Sequence, residues 1–185
     1  MTTMTRASEL TLEAFLRLEE TEPFSEYACG EAFQKPMPNR HHAAIQTFLA
    51  VALYPFLART GLGRALTEFR CIFGPPGRER AYIPDLVYVA RDRLTADLYL
   101  RAAPDLAIEI LSPDQHLARF MDKIQFYLLY GVRVVWIVDP ATATITVQRP
   151  GQEAVVLSSG DILDGGDLLP GFSVGLDEIF AQAQP

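Results

Sequence analysis

The stretch that most constrains this chain runs from "DLAIEIL" through "DQHLARFMDKIQFYLLYG" to "VRVVWIVD". A short apolar run is followed by a segment with Leu117, Phe120, Met121, Ile124 and Leu128 at helical spacing. Gly131 stops it, and a second apolar run begins at once. Strand, helix and strand joined by a short connection are the pattern of a parallel crossover unit, which places the chain in the α/β class. The expected architecture is a mixed β-sheet flanked by helices.

The remaining segments fit around that unit. "TLEAFLRLEE" predicts a first helix, with Thr11 as cap and Leu12, Phe15 and Leu16 on one face. "SEYACGEAFQKP" alternates and breaks at Gly30, as a strand pair joined by a turn does. "RHHAAIQTFLAVALYPFLART" carries Ile45, Phe48, Leu49, Ala52, Leu53 and Phe56 at helical spacing, with Pro55 placed to kink or shorten it and "GLG" to end it. "RALTEFRCIF" and "PDLVYVA" read as strands, "ATITVQR" and "EAVVLS" as a meander, and "GLDEIFAQ" as a short closing helix. Neither a repeat nor a linker interrupts the 185 residues, of which 49% are hydrophobic, so one domain over 1–185 is expected. The longest apolar runs are interrupted or too short for a bilayer and "MTTMTRASEL" lacks an apolar signal core, so a soluble cytoplasmic protein is expected. Cys29 and Cys71 are in neither metal-ligand nor redox spacing and read as small core residues. A net charge of −7 counts against nonspecific nucleic-acid binding through a broad basic field, but not against an enzyme that meets DNA in a local groove. The basic clusters "GPPGRER" and "ARDR", with Arg101, read as solvated loop charges.

Glu109 lies inside the apolar "LAIEIL". An ionised carboxylate in a core costs several kcal/mol, roughly, unless something pairs with it, so Glu109 needs a partner or has a task. Asp85 opens the preceding strand, and adjacent strands can bring two carboxylates to one sheet edge, where they chelate a hard divalent cation. Lys123 falls on the row of the next helix that also holds His116, Phe120 and Tyr127, bordering the apolar stripe, from which it can reach Glu109. Two carboxylates, a cation and a lysine suit phosphodiester hydrolysis. The same spacing also reads as a buried Glu109–Lys123 ion pair with Asp85 as a turn residue.

"YIPDLVYV", "APDLAIEILSP", "DKIQFYLLYGVRVVWIVDP" and the upstream "SEYACGEAF" together resemble the Uma-two family of restriction-endonuclease-like proteins, a branch of the PD-(D/E)XK nuclease superfamily. The resemblance covers most of the chain, from about Thr11 to the last helix. It implies a restriction-endonuclease-like fold and metal-dependent DNA cleavage, with Mg2+ or Mn2+ held by Asp85, Glu109 and the backbone carbonyl of Ile110. The chain departs from the superfamily at Leu111, where a lysine is usual; in the Uma-like branch the following helix supplies it, here as Lys123. Glu26 resembles an N-terminal acidic residue near such sites, and reads either as an outer metal ligand or as a solvated strand-edge glutamate. His42 matches a family position that can face the site, whereas the adjacent His41 points elsewhere and His116 is expected to be exposed. Ser112 either bonds to the site or caps the helix, with capping the simpler reading; Tyr127 either positions phosphate or packs, with packing the simpler, and Trp136 reads as core. A one-site nuclease that cuts both strands implies a homodimer. The competing reading is a catalytically silent nuclease fold that serves as a binding or regulatory module.

Overall fold

The structure, a computed structural model, describes residues 10–182. In chain order it comprises α1 (Leu12–Phe15), β1 (Ser25–Ala28), β2 (Glu31–Gln34), α2 (Arg40–Thr60), β3 (Gly63–Thr67), β4 (Cys71–Phe73), β5 (Arg80–Tyr82) and β6 (Leu86–Ala90). There follow β7 (Leu106–Ile110), α3 (Leu117–Leu129), β8 (Val134–Asp139), β9 (Thr144–Gln148), β10 (Val155–Leu157), β11 (Ile162–Asp164), β12 (Ser173–Gly175) and α4 (Leu176–Ala181). The central sheet has the order β10-β9-β8-β7-β6-β3, with β7 and β8 parallel and the other neighbours antiparallel. The crossover helix α3 makes that parallel pair possible. A second, antiparallel sheet runs β2-β1-β5-β4, and β11 and β12 form a separate hairpin. This mixed sheet with flanking helices is a restriction-endonuclease-like fold.

Alternation along the strands sorts the core into two layers. Leu86, Tyr88, Leu106, Ile108, Trp136 and Val138 face α2 and α4, packing with Ile45, Leu49, Leu53 and Phe56. Val87, Val89, Ala107 and Val135 face the opposite way, onto Phe120, Ile124 and Tyr127 of α3 and onto Phe73 and Tyr82 of the second sheet. Glu109 shares its parity with Ala107, and Asp85 with Val87. Glu109 therefore belongs to the side covered by α3, while Asp85, just before β6, sits at the strand end.

Several expectations need correction. The first helix is a single turn, Leu12–Phe15, although Thr11 caps it as foreseen. "RALTEFRCIF" is two strands in two different sheets, because the chain turns at Glu68, whose φ of 49° is left-handed. The basic "GPPGRER" leads into a strand, β5, and Arg80 in it pairs with Asp122 and lies over the Phe126 ring. Arg93 in "ARDR" is likewise tied to the buried Asp105 rather than solvated. Cys71 is core, but Cys29 is exposed at the β1–β2 turn, where its φ of 51° and that of Gly30 at 81° give the paired left-handed residues of a tight hairpin. Pro55 does not break α2, since it and Val51, the residue whose carbonyl it leaves unbonded, are both exposed to water. The resulting 21-residue helix has the length and hydropathy for a bilayer span, contrary to expectation, yet its apolar stripe is used against the central sheet.

Candidate active site

The antiparallel register of β6 on β7 ends at the pair Leu86–Ile108, with Asp85 immediately before Leu86 and Glu109 immediately after Ile108. The Ile110 amide donates to Asp85 Oδ2 at 2.7 Å, locking the turn before β6 against the end of β7. Both acids are buried, at 2% and 3% exposure, at one end of a cleft of about 830 Å3.

Helix α3 closes the site over Glu109. Lys123 and Tyr127, one turn apart, both point inward: the ammonium lies 2.8 Å from Glu109 Oε1 and the phenol donates to the same oxygen at 2.7 Å. Lys123 also donates to Glu26 Oε1 at 2.8 Å, and the Ile83 amide donates to that oxygen as well. Glu26 is thus a buried member of the cluster, not a solvated edge residue. Two further sequence readings change here. Lys123 lies within the buried face of α3, with Phe120, Ile124, Phe126 and Tyr127, whereas Leu117 and Met121 of the expected stripe are exposed. Tyr127 does more than pack, because its hydroxyl holds Glu109. Ser112 does not cap α3; His116 does, its Nδ1 accepting from the Arg119 amide, and Ser112 lines the cleft instead. His116 is exposed as foreseen, His41 is exposed while His42 is buried, and Trp136 is core.

Helix α2 contributes from the opposite side. Asn39 caps it by accepting from the His42 amide, which fixes the first turn so that His42 Nε2 meets Asp85 Oδ2 at 3.1 Å. Gln46, one turn on, donates to the Asp85 carbonyl at 2.8 Å and to Glu68 Oε1 at 2.9 Å. Lys35, just beyond β2, bridges Asp85 Oδ1 at 2.8 Å and Glu68 Oε2 at 2.6 Å. Lys35, Gln46 and Glu68 were not anticipated from sequence. The four-residue spacing of His42 and Gln46 on one helical face was the available signal. Lys35 and Glu68 offered none, since only the folded chain brings them together.

With all its acids ionised, this cluster is net negative. Glu26, Glu68, Asp85 and Glu109 face the ammonium groups of Lys35 and Lys123, which leaves an excess of two negative charges among them. Burial pushes the Asp85 carboxyl up, but Lys35 and His42 outweigh it and hold the group well below the usual carboxylate range. Burial also pushes Glu109 up and, with repulsion from Asp85 and Glu26, prevails over Lys123, so that its pKa rises to about 7. Both lysines run the other way: burial disfavours their charge, and the neighbouring carboxylates raise them above the ordinary lysine value.

Among the described residues no group of three or more His, Cys, Asp or Glu side chains is arranged to hold a metal ion. Each carboxylate is drawn to an ammonium group instead of converging with the others. The donor chemistry nevertheless fits a small hard dication. Magnesium keeps several waters and asks only one or two carboxylates of a protein, and Asp85 with Glu109 supplies two. The two ammonium groups stand where positive charge is called for, and the residual charge of −2 is what one dication offsets.

Residues 12–177 match the family model Uma2, described as "Putative restriction endonuclease". The crystal structure of "a putative nuclease" from Anabaena variabilis ATCC 29413 superposes with a TM-score of 0.87 at 31% identity, covering 95% of this chain and 99% of that one. No curated protein matches.

Proposed function

From the premise that this chain belongs to the Uma2 family, within the PD-(D/E)XK nuclease-like superfamily, we propose that it is a metal-dependent endonuclease that hydrolyses phosphodiester bonds in DNA. The observation that carries this reading is that Asp85, just before β6, and Glu109, in β7, line the same open cleft, with the Ile110 amide on Asp85 and the buried Lys123 ammonium on Glu109. Asp85, Glu109 and the Ile110 carbonyl would hold Mg2+ or Mn2+, with Glu26 as an outer ligand on the far side of Lys123, reached only if it exchanges the ammonium for a metal-bound water. Such a cation supplies a bound water of lowered pKa and offsets charge on the phosphate.

The chain's own groups have separable tasks. Tyr127 holds Glu109 in one rotamer by its 2.7 Å hydrogen bond, and Glu26 anchors Lys123 so that the ammonium stays beside Glu109. Lys123 takes the part of the lysine absent at Leu111, placing positive charge where the phosphate oxygens gain negative charge. His42 keeps Asp85 ionised and oriented. Burial excludes water from these contacts, which strengthens them. Arg119 and His116 line the outer cleft and can meet DNA phosphates there. Cutting both strands with one site per chain calls for a two-fold homodimer.

The test is nicking of supercoiled plasmid in Mg2+ or Mn2+, with Glu109→Gln as control. Wild-type protein is expected to relax the plasmid only with the cation, and the variant to leave it intact. Leu111 favours a second reading, a silent nuclease fold that binds without cutting. Wild-type protein that binds the cation and DNA yet never nicks would select it.

A further inference from the structure

Asp85 differs from Glu109 in how its oxygens are used. Oδ2 accepts from the Ile110 amide and meets His42, and Oδ1 is held by Lys35. Among the described residues, the contacts made to the Glu109 carboxylate all fall on Oε1. A cation can therefore reach Glu109 through Oε2, but at Asp85 it must use the remaining lone pair of Oδ1, directly beside the Lys35 ammonium, because Oδ2 already has two partners. The Ile110 amide is fixed in a strand, and His42 is fixed by a capped helical turn. Lys35 is the movable one: it lies outside any strand or helix, lines the cleft and retains 10% exposure in its side chain. It also has somewhere to stay, since Glu68 holds the same ammonium at 2.6 Å and is itself fixed by Gln46.

We infer that Lys35 is an internal competitor for the divalent cation, occupying Asp85 Oδ1 in the metal-free protein and retreating onto Glu68 when the cation binds. The inference rests on the reading that Asp85 ligates a cation, and it adds a residue that sets the affinity of that site. Its physical basis is simple. A dication entering beside Oδ1 is brought close to the ammonium held on that same oxygen, and the repulsion between them at about 4 Å drives the ammonium off Asp85 and onto Glu68. Cation binding is thereby coupled to a side-chain movement of a residue that lines the cleft, which a DNA phosphate entering the cleft would favour by drawing the ammonium off Asp85.

Calorimetric titration of Mn2+ into wild type, Lys35→Met, Lys35→Gln and Asp85→Asn tests this without any cleavage assay. Both Lys35 variants are expected to bind Mn2+ at least about tenfold more tightly than wild type, a shift of 1.4 kcal/mol or more. Lys35→Gln is included because it keeps a donor for Asp85 and Glu68 if the methionine variant folds poorly. Asp85→Asn should abolish binding. Wild-type binding that is unchanged or weakened in both Lys35 variants overturns the competition while leaving the cation site standing. Binding that survives Asp85→Asn overturns the site itself, and the competition with it.

Discussion

At the scale of single residues, Glu109 poses the question that the fold answers. A carboxylate at 3% exposure receives Lys123 and Tyr127 on one oxygen, both from the same face of α3. Hydrogen bonds to charged groups contribute about 1.5–3 kcal/mol, so Tyr127→Phe should lower stability by that order in urea melts while leaving the fold intact. Lys123→Ala has a larger reach, because it strands Glu26 and Glu109 together. Removing one partner of a buried pair costs about 3–5 kcal/mol, which a thermal melt in the absence of metal should register. Added Mn2+ should then recover part of that loss, since the cation offsets the charge that Lys123 no longer does. A variant as stable as wild type would remove Lys123 from the site's charge balance altogether.

At the scale of elements, the crossover β7–α3–β8 was legible because its apolar runs and helical spacing are local. The hairpin β1–β2 and the boundaries of α2 were legible for the same reason, through Gly30 and Gly61. Two things were not. The division of "RALTEFRCIF" depends on Glu68 taking a left-handed φ, which no periodicity reveals and which costs roughly 1–2 kcal/mol for a residue other than glycine. That cost falls at the residue whose carboxylate holds Lys35 and Gln46, so strain and site coincide. The face of α3 was also misjudged, since Leu117 and Met121 look like core by composition while the true buried row carries Lys123 and Tyr127. Charge at a helical position hides burial whenever the partner lies on a distant strand. Gly63 is the element-level test of how tightly β3 is pressed onto β6: an added Cβ would fall on the Val89 carbonyl oxygen and close to the Tyr88 ring. Gly63→Ala should cost about 1–3 kcal/mol by overpacking, read from the midpoint of a denaturant titration.

At the scale of the whole molecule, two sheets and two helices converge on one cluster. The central sheet presents Asp85 and Glu109, β1 of the second sheet brings Glu26, α2 brings His42 and Gln46, and α3 brings Lys123 and Tyr127. Sequence reading found the members that lie in recognisable strings, Asp85, Glu109, Glu26 and Lys123, and missed Lys35 and Glu68, which matter only through three-dimensional proximity. The proposed two-strand cleavage extends this arrangement to a pair of chains, so light scattering at micromolar concentration should give twice the monomer mass of 20.6 kDa in the presence of DNA. A strict monomer under those conditions would limit the protein to nicking. The central claim is that Asp85 and Glu109 share a divalent cation, and anomalous scattering from a crystal soaked in Mn2+ tests it most directly. The expected result is one peak at roughly 2.0–2.6 Å from a carboxylate oxygen of each acid and from the Ile110 carbonyl, with Lys35 Nζ withdrawn onto Glu68. A soaked crystal that keeps Lys35 on Asp85 Oδ1 and shows no peak between the two acids would contradict it.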